Sequence, residues 1–382
     1  MVSRWWIVIA RIRAARLMSK LLGPKVAECI HAKRRRYAMR QPNTCEFYYM
    51  TTFLTLTLLS IGVLCAWGQT KPNVKLIEEA KKEGEVVFYA GMSPAEANVM
   101  QAKFQAKYPF LQLKLNRIGG NRMAAKVFTE ARAGQNLVDL IQTSEFDLYT
   151  FQKNGILAYY ISPEDRFYPR EYKEQGYWTA YQLSLIVVGY NTKMVAPQNL
   201  PKTYDDLLNP AWKGKIMLDP TKSEWFAGML EIMGREKGLR YMKDLSKQDI
   251  VLRQGNALRA QLVSAGEAVF DINIPTHTVD QLKKSGAPID WLALGPVPAR
   301  MSTIGIAAKA PHPHAARLLL DFWLSREGQR LVDSFNRVVT RSDLAEEQSA
   351  AIKGLRIVPV NPALGEELQG YEKLLRDIFV SK

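Results

Sequence analysis

The chain has 382 residues, 47% of them hydrophobic and 23% charged, with a formal net charge of +15. That length fits about two domains and can bury a sizeable core, and the composition excludes fibrous and largely disordered classes. Residues 1–49 hold eleven Lys or Arg against Glu28 and Glu46, hence nine of the positive charges; the remaining +6 is spread along the chain, which argues against a nucleic-acid binder and leaves room for an anionic solute.

Residues 1–49 read as a basic extension, either a start assigned too early, with translation from Met39 or Met50, or an extended n-region. Residues 50–68 are an uncharged apolar run ending in Ala66-Trp67-Gly68, the form of a secretory signal with a small-x-small cleavage site before Gln69. The run from Phe53 to Trp67 falls short of the roughly 20 residues a spanning helix needs, and the bulky Leu64 counts against lipidation at Cys65. An exported, cleaved, periplasmic chain is expected. All three cysteines, Cys29, Cys45 and Cys65, precede the cut, so the mature chain would have no disulfide, thiolate metal site or cysteine nucleophile.

A polar helix over 74–83 stops at Gly84, a buried strand follows at 85–89, and Ser93-Pro94-Ala95-Glu96 has the form of a capping box with proline at the first helical position. The strand–turn–helix unit repeats: strand 111–115, turn Gly119-Gly120-Asn121-Arg122, helix 123–133; then strand 138–142 and a helix from Glu145. Ligands of open α/β sheets sit beyond the carboxyl ends of the strands, facing helix N-termini. Tyr89, Ser93, Gly120, Asn121, Arg122, Thr143 and Ser144 lie at such ends and are candidate ligand-binding residues; for each one alone, capping or turn geometry is the alternative. The aromatic stretch from Tyr159 to Trp178 is expected to pack the edge of this unit.

A strand-like run at 183–188 leads into Gly189-Tyr190-Asn191-Thr192-Lys193, then a short helix signal at 203–208, Asn209-Pro210-Ala211-Trp212-Lys213-Gly214-Lys215-Ile216, a strand to Leu218 and a helix over 224–233. Helix 258–265, strand 268–272, the loop Asn273-Ile274-Pro275-Thr276-His277, strand 303–308 and the helices 315–324 and 366–379 complete the chain. His312 and His314 precede helix 315–324 and are expected in solvent. No P-loop, H-E-x-x-H or G-x-S-x-G pattern occurs.

The strand ending in Y-N-T-K, the P-x-T-x-x-D-L-L-x-P-x-W-K-G-K-I segment and the D-F-x-L-S-x-E-G-Q pattern at 321–329 resemble bacterial ABC-importer solute-binding proteins of the ferric-iron, polyamine and phosphonate type. The resemblance implies a class II bilobal α/β fold: lobe 1 from 69–182 and 300–382, lobe 2 from 183–299, joined by strands crossing near 180–190 and 295–305. It implies no enzyme and no cofactor, but a monomer that closes on a small-molecule solute and delivers it to an inner-membrane permease. It places Ser223, Asn273, Thr276 and His277 in the cleft, although Glu224 follows where a small residue is common. Thr276 and His277 stand where the ferric-binding branch carries iron-ligating tyrosines, which favours an organic anion over the alternative, iron(III). An exported enzyme or a ligand-sensing domain on the same fold are the competing classes.

Overall fold

The computed structural model describes residues 73–381 apart from 120, 349 and 350. The expectations about the extension, the signal segment, the three cysteines and Gly120 therefore lie outside the described residues. No helix among the described residues is long and apolar enough to cross a membrane.

The first layer is built as local signals predict. Helix α1 (Val74–Glu83) is capped by Asn73, and Gly84 ends it at φ +72°, a left-handed conformation that costs glycine nothing. It is followed by β1 (Glu85–Ala90), α2 (Pro94–Lys107), β2 (Gln112–Arg117), α3 (Asn121–Arg132), β3 (Leu140–Ser144) and α4 (Glu145–Lys153). The capping box on α2 is complete, with Ser93 accepting from the Glu96 amide and the Glu96 side chain accepting from the Ser93 amide. Then come β4 (Lys173–Glu174) and the 14-residue β5 (Trp178–Asn191).

Across β5 lie β6 (Ile216–Leu218), α5 (Ser223–Met233), α6 (Arg235–Leu245), β7 (Val251–Leu252), α7 (Asn256–Ala265), β8 (Phe270–Pro275), α8 (Thr276–Lys284) and β9 (Ile289–Leu292). The chain returns through β10 (Val297–Ile306), α9 (Pro313–Leu324), α10 (Arg326–Ser334), β11 (Val338–Val339), β12 (Ile357–Pro359) and α11 (Leu368–Phe379). The predicted short helix at 203–208 is a 3-10 turn at Asp205–Leu208. The predicted loop at 273–277 is the end of β8 running straight into α8.

Strand order is β2-β1-β3-β10-β5-β8-β6-β7, with β1, β2 and β3 parallel and β10 antiparallel to β3 and β5. Strand β5 serves two sheets: Thr179 to Leu185 pair with β10, whereas Ile186 to Tyr190 pair with β8. Strand β5 thus spans both sheets, and β10, which pairs only in the first, carries the chain back from β9 of the second. Their ladders slip between Ser302 and Thr303 and between Val187 and Gly189, irregularities that bend a strand and re-aim side chains. The first core gathers Phe88, Phe104, Phe322 and Trp323 between the first sheet and α9; another gathers Leu218, Phe226, Met242 and Phe270 in the second lobe.

Two expectations are corrected by packing. Helix α11 belongs to the second core rather than to lobe 1, since its Tyr371, Leu375 and Phe379, spaced to share one helix face, lie beside Phe226 of α5. His312 and His314 are not free in solvent: their Nδ1 atoms sit 2.9 Å from Asp139 Oδ2 and 2.7 Å from Glu83 Oε1, tying the start of α9 to β3 and α1. The aromatic stretch packs the edge as expected, with Tyr168 Oη donating to the Leu324 carbonyl and Tyr160 Oη to Asp321.

Candidate functional site

A cavity of about 540 Å³ opens between the lobes, and one of about 210 Å³ adjoins it, the two sharing Gly91, Gln142, Ser184, His277 and Ser302. Among the helices that begin on the larger cavity are α4, α5 and α8. Thr143, Ser144, Phe146 and Asp147 come from the start of α4; Ser223, Glu224 and Trp225 from α5; Pro275 and His277 from the start of α8. The first turns of helices carry amides with no intrahelical acceptor and a partial positive charge, so this convergence favours anionic oxygen. The crossing strands supply Ser184 and Ile186 from β5 and Arg300, Met301 and Ser302 from β10.

Local chemistry fixes these ends. Ser144 Oγ caps α4 by accepting from the Asp147 amide at 3.2 Å, and Thr143 Oγ1 donates to Asp147 Oδ2 at 2.5 Å. Gln142 Oε1 accepts from the Gly91 amide at 2.8 Å, which holds the loop after β1 against the cavity. Asp219 shapes the turn before α5 by accepting from the Thr221 amide and hydroxyl at 3.0 and 2.6 Å. Behind the wall, buried Arg259 donates to Asp271 Oδ1 at 2.5 Å and to Asn273 Oδ1 at 2.6 Å.

Arg300 is paired within the cavity, whereas Lys222 and Glu372, which also line it, make no ion pair among the described residues. Arg300 Nε donates to Glu145 Oε1 at 2.9 Å and Nη1 to Glu224 Oε1 at 2.6 Å, while its guanidinium lies 5.2 Å from the Phe146 ring centroid. Burial works against the Arg300 charge, but Glu145 and Glu224 outweigh it and raise its pKa; burial pushes Glu145 up, with Arg300 opposing. In the smaller compartment Arg337 pairs with Glu96. Burial, reinforced by Arg337 and opposed by Glu96, pushes His277 down from 6.5 to about 3, so its imidazole is neutral.

Of the residues expected from sequence, Thr143, Ser144, Ser223, Asn273 and His277 line the larger cavity, and Ser93 the smaller one. Others do not. Tyr89 is turned onto the opposite sheet face from Phe88, buried with Met123 and Val127, and its Oη donates to Glu130 at 3.1 Å. Arg122 is exposed and lines neither compartment. Thr276 is buried and absent from the lining, because the first turn of α8 presents His277 instead. Sequence reasoning missed Gly91, Gln142, Ser184, Ser302 and Arg300. Arg300 carried a usable signal: it is the lone charge in the strand Val297–Ile306.

Two mixed α/β lobes joined through β5 and β10 around a polar cavity define a class II bilobal binding-protein fold. Residues 135–353, more than half of the chain, match the family described as bacterial extracellular solute-binding protein, and the chain belongs to that family. It is 23% identical over 295 residues to iron uptake protein A1 of Synechocystis, covering 72% of this chain and 80% of that protein. Iron-bound HitA from Pseudomonas aeruginosa superposes with a TM-score of 0.65 at 23% identity, over 77% of this chain and 99% of that one. The Trichodesmium protein IdiA (FutA), solved with iron and citrate ligands, gives a TM-score of 0.66 at 18% identity, over 77% and 99%.

Proposed function

We propose that this protein is the periplasmic solute-binding component of an ABC importer and that its solute is ferric iron carried as a chelate with an organic oxyanion. The names of its relatives support the iron; the observation that carries the anionic form is the convergence of three helix starts and Arg300 on one cavity. No tyrosine lines the larger cavity, and among the described residues no group of three or more His, Cys, Asp or Glu is placed to hold a metal ion. Bare iron(III) demands anionic oxygen ligands, so here the chelator supplies them and the protein binds the chelator. Rotation of the lobes about β5 and β10 closes the cavity on the solute, and a membrane permease receives it. No bond is made or broken.

The absence of phenols from the cavity also favours a second reading, in which the solute is a metal-free organic anion. Thermal unfolding of the purified protein separates the two. A ligand at about a hundredfold excess over Kd stabilises by about 2.7 kcal/mol. Stabilisation by ferric citrate well beyond that by citrate alone supports the iron chelate, equal stabilisation by citrate supports the organic anion, and a new visible absorption band on adding iron would mean that protein phenolates bind it directly.

A further inference from the structure

The Glu145–Arg300–Glu224 bridge joins the first residue of α4 in one lobe, a crossing strand, and the first turn of α5 in the other. Its two carboxylates are not equivalent. Glu145 is fully buried, and among the described residues its Oε2 has no hydrogen-bond partner and Arg300 is the only cation paired with it. Removing Arg300 would strand that charge. Glu224 keeps 16% of its side chain exposed, lines the cavity, and makes no side-chain hydrogen bond other than the one to Arg300. Arg300 in turn keeps a quarter of its side chain exposed, and its Nη2 makes no hydrogen bond among the described residues.

Two carboxylates on one guanidinium leave a net negative charge at the place where the helix starts favour an anion. Glu224 occupies the position an anionic solute would take: next to the first amides of α5 and in reach of Arg300. We propose that Glu224 is a charge gate, displaced from Arg300 Nη1 by an oxyanion of the solute while Glu145 stays as the fixed anchor. The gate rests on the anionic-solute reading above, and it sets specificity. A neutral solute cannot replace a carboxylate on a guanidinium, whereas an oxyanion that spans Nη1 and Nη2 makes the bidentate pair for which the planar fork is suited. The same exchange releases Glu224 of the second lobe from the crossing strand, so recognition and lobe position are linked through one side chain.

Titration calorimetry of the parent, Glu224→Gln, Glu224→Asp and Arg300→Lys against ferric citrate, citrate, inorganic phosphate and glucose tests this. Glu224→Gln leaves only a neutral amide oxygen on Arg300 Nη1, which an oxyanion displaces more readily, and should tighten anion binding about tenfold, the worth of one hydrogen bond to a charged group. Glu224→Asp keeps the charge but is one methylene too short to hold Nη1, and should also tighten it, by about threefold or more. Arg300→Lys retains a cation for Glu145 yet loses the fork, and should weaken anion binding about tenfold. If Glu224→Asp matches the parent while Glu224→Gln tightens, Glu224 only repels anions and the gate is wrong; if Glu224→Gln weakens binding, Glu224 is a solute ligand and the gate is equally wrong. Gains seen for citrate or phosphate while ferric citrate is bound by none of the proteins uphold the gate and overturn the iron reading. Ferric citrate bound equally by the parent and both Glu224 variants, with no gain for any other anion, does the reverse, and no anion binding by any of the four proteins overturns both.

Discussion

Replacing Asp271 with Asn isolates the electrostatic cost of the buried network behind the cavity wall. Asp271 is fully buried; its Oδ1 accepts from Arg259 at 2.5 Å and from the Asn273 amide at 3.2 Å, and its Oδ2 has no partner. One guanidinium there faces two carboxylates, with Asp219 Oδ2 at 3.8 Å from Arg259 Nε. Burial, only partly offset by Arg259, therefore pushes Asp271 up from 3.8 to about 6. Between those values the folded protein keeps a proton that the unfolded chain has released, so stability falls as pH rises through this window and levels off above it. Two units at about 1.4 kcal/mol each amount to roughly 3 kcal/mol. Denaturant unfolding of parent and Asp271→Asn across about pH 4 to 7 should show their difference moving by roughly that amount in favour of the variant, on top of a constant offset from the altered hydrogen bond. Carboxylates outside this network titrate alike in both proteins and cancel. A difference that does not change with pH, or that drifts against the variant, refutes the claim that Asp271 is ionised at a cost.

His277, held at about 3 by burial, should show imidazole C–H resonances that do not move between about pH 5 and 8; because the unfolded histidine titrates near 6.5, this group withdraws stability as pH falls below that value, and an NMR midpoint near 6.5 would contradict its burial. Asn273→Ala should cost roughly 2–4 kcal/mol in denaturant unfolding yet change solute affinity little, since Oδ1 already accepts from the Asp219 amide and Arg259 and Nδ2 donates to the Asp219 carbonyl; a large affinity loss at unchanged stability would assign it to the solute instead. A Cβ at Gly365 would lie 3.0 Å from Phe146 Cβ, so Gly365→Ala should destabilise by roughly 1–3 kcal/mol as Phe146 and the Arg300 stacked on it shift. An unperturbed melting temperature would show that this contact yields without cost.

The fold was legible because its signals are local. The Ser93–Glu96 box, the Gly84 stop and the apolar stripe of α9 each depend on a few neighbouring residues, and each gives the expected element. The strand runs before the Tyr190-Asn191-Thr192-Lys193 turn and in the 295–305 region correspond to β5 and β10. Strand lengths were less legible, because β5 and β10 are buried on both faces and lack the alternation that marks an end. At the site, hydroxyls at strand ends were found since helix starts select for them, which is how Ser144 and Ser223 were reached. Gln142, Ser184 and Ser302 were missed for the converse reason: they sit inside strands, and only the strand pairing turns them toward the cavity. Tyr89 failed by one position of the strand period, which sends Phe88 to one face and Tyr89 to the other.

Helix α11 shows what an amphipathic stripe leaves open. Tyr371, Leu375 and Phe379 announce that one face is buried, but nothing in their spacing names the partner. The preceding 3-10 turn, Pro362–Glu367, touches both lobes: Gly365 packs on Phe146 of α4 and Glu366 pairs with Lys153, while Leu364 packs against the second core. Immediately afterwards α11 packs on α5 of the second lobe, and Leu368 and Glu372 line the larger cavity. The chain therefore crosses between the lobes a third time, over the stretch from Pro362 to Leu368. Any rotation of one lobe against the other has to be absorbed there as well as in β5 and β10. Phe146 therefore touches both this third crossing, through Gly365, and Arg300, through its ring face.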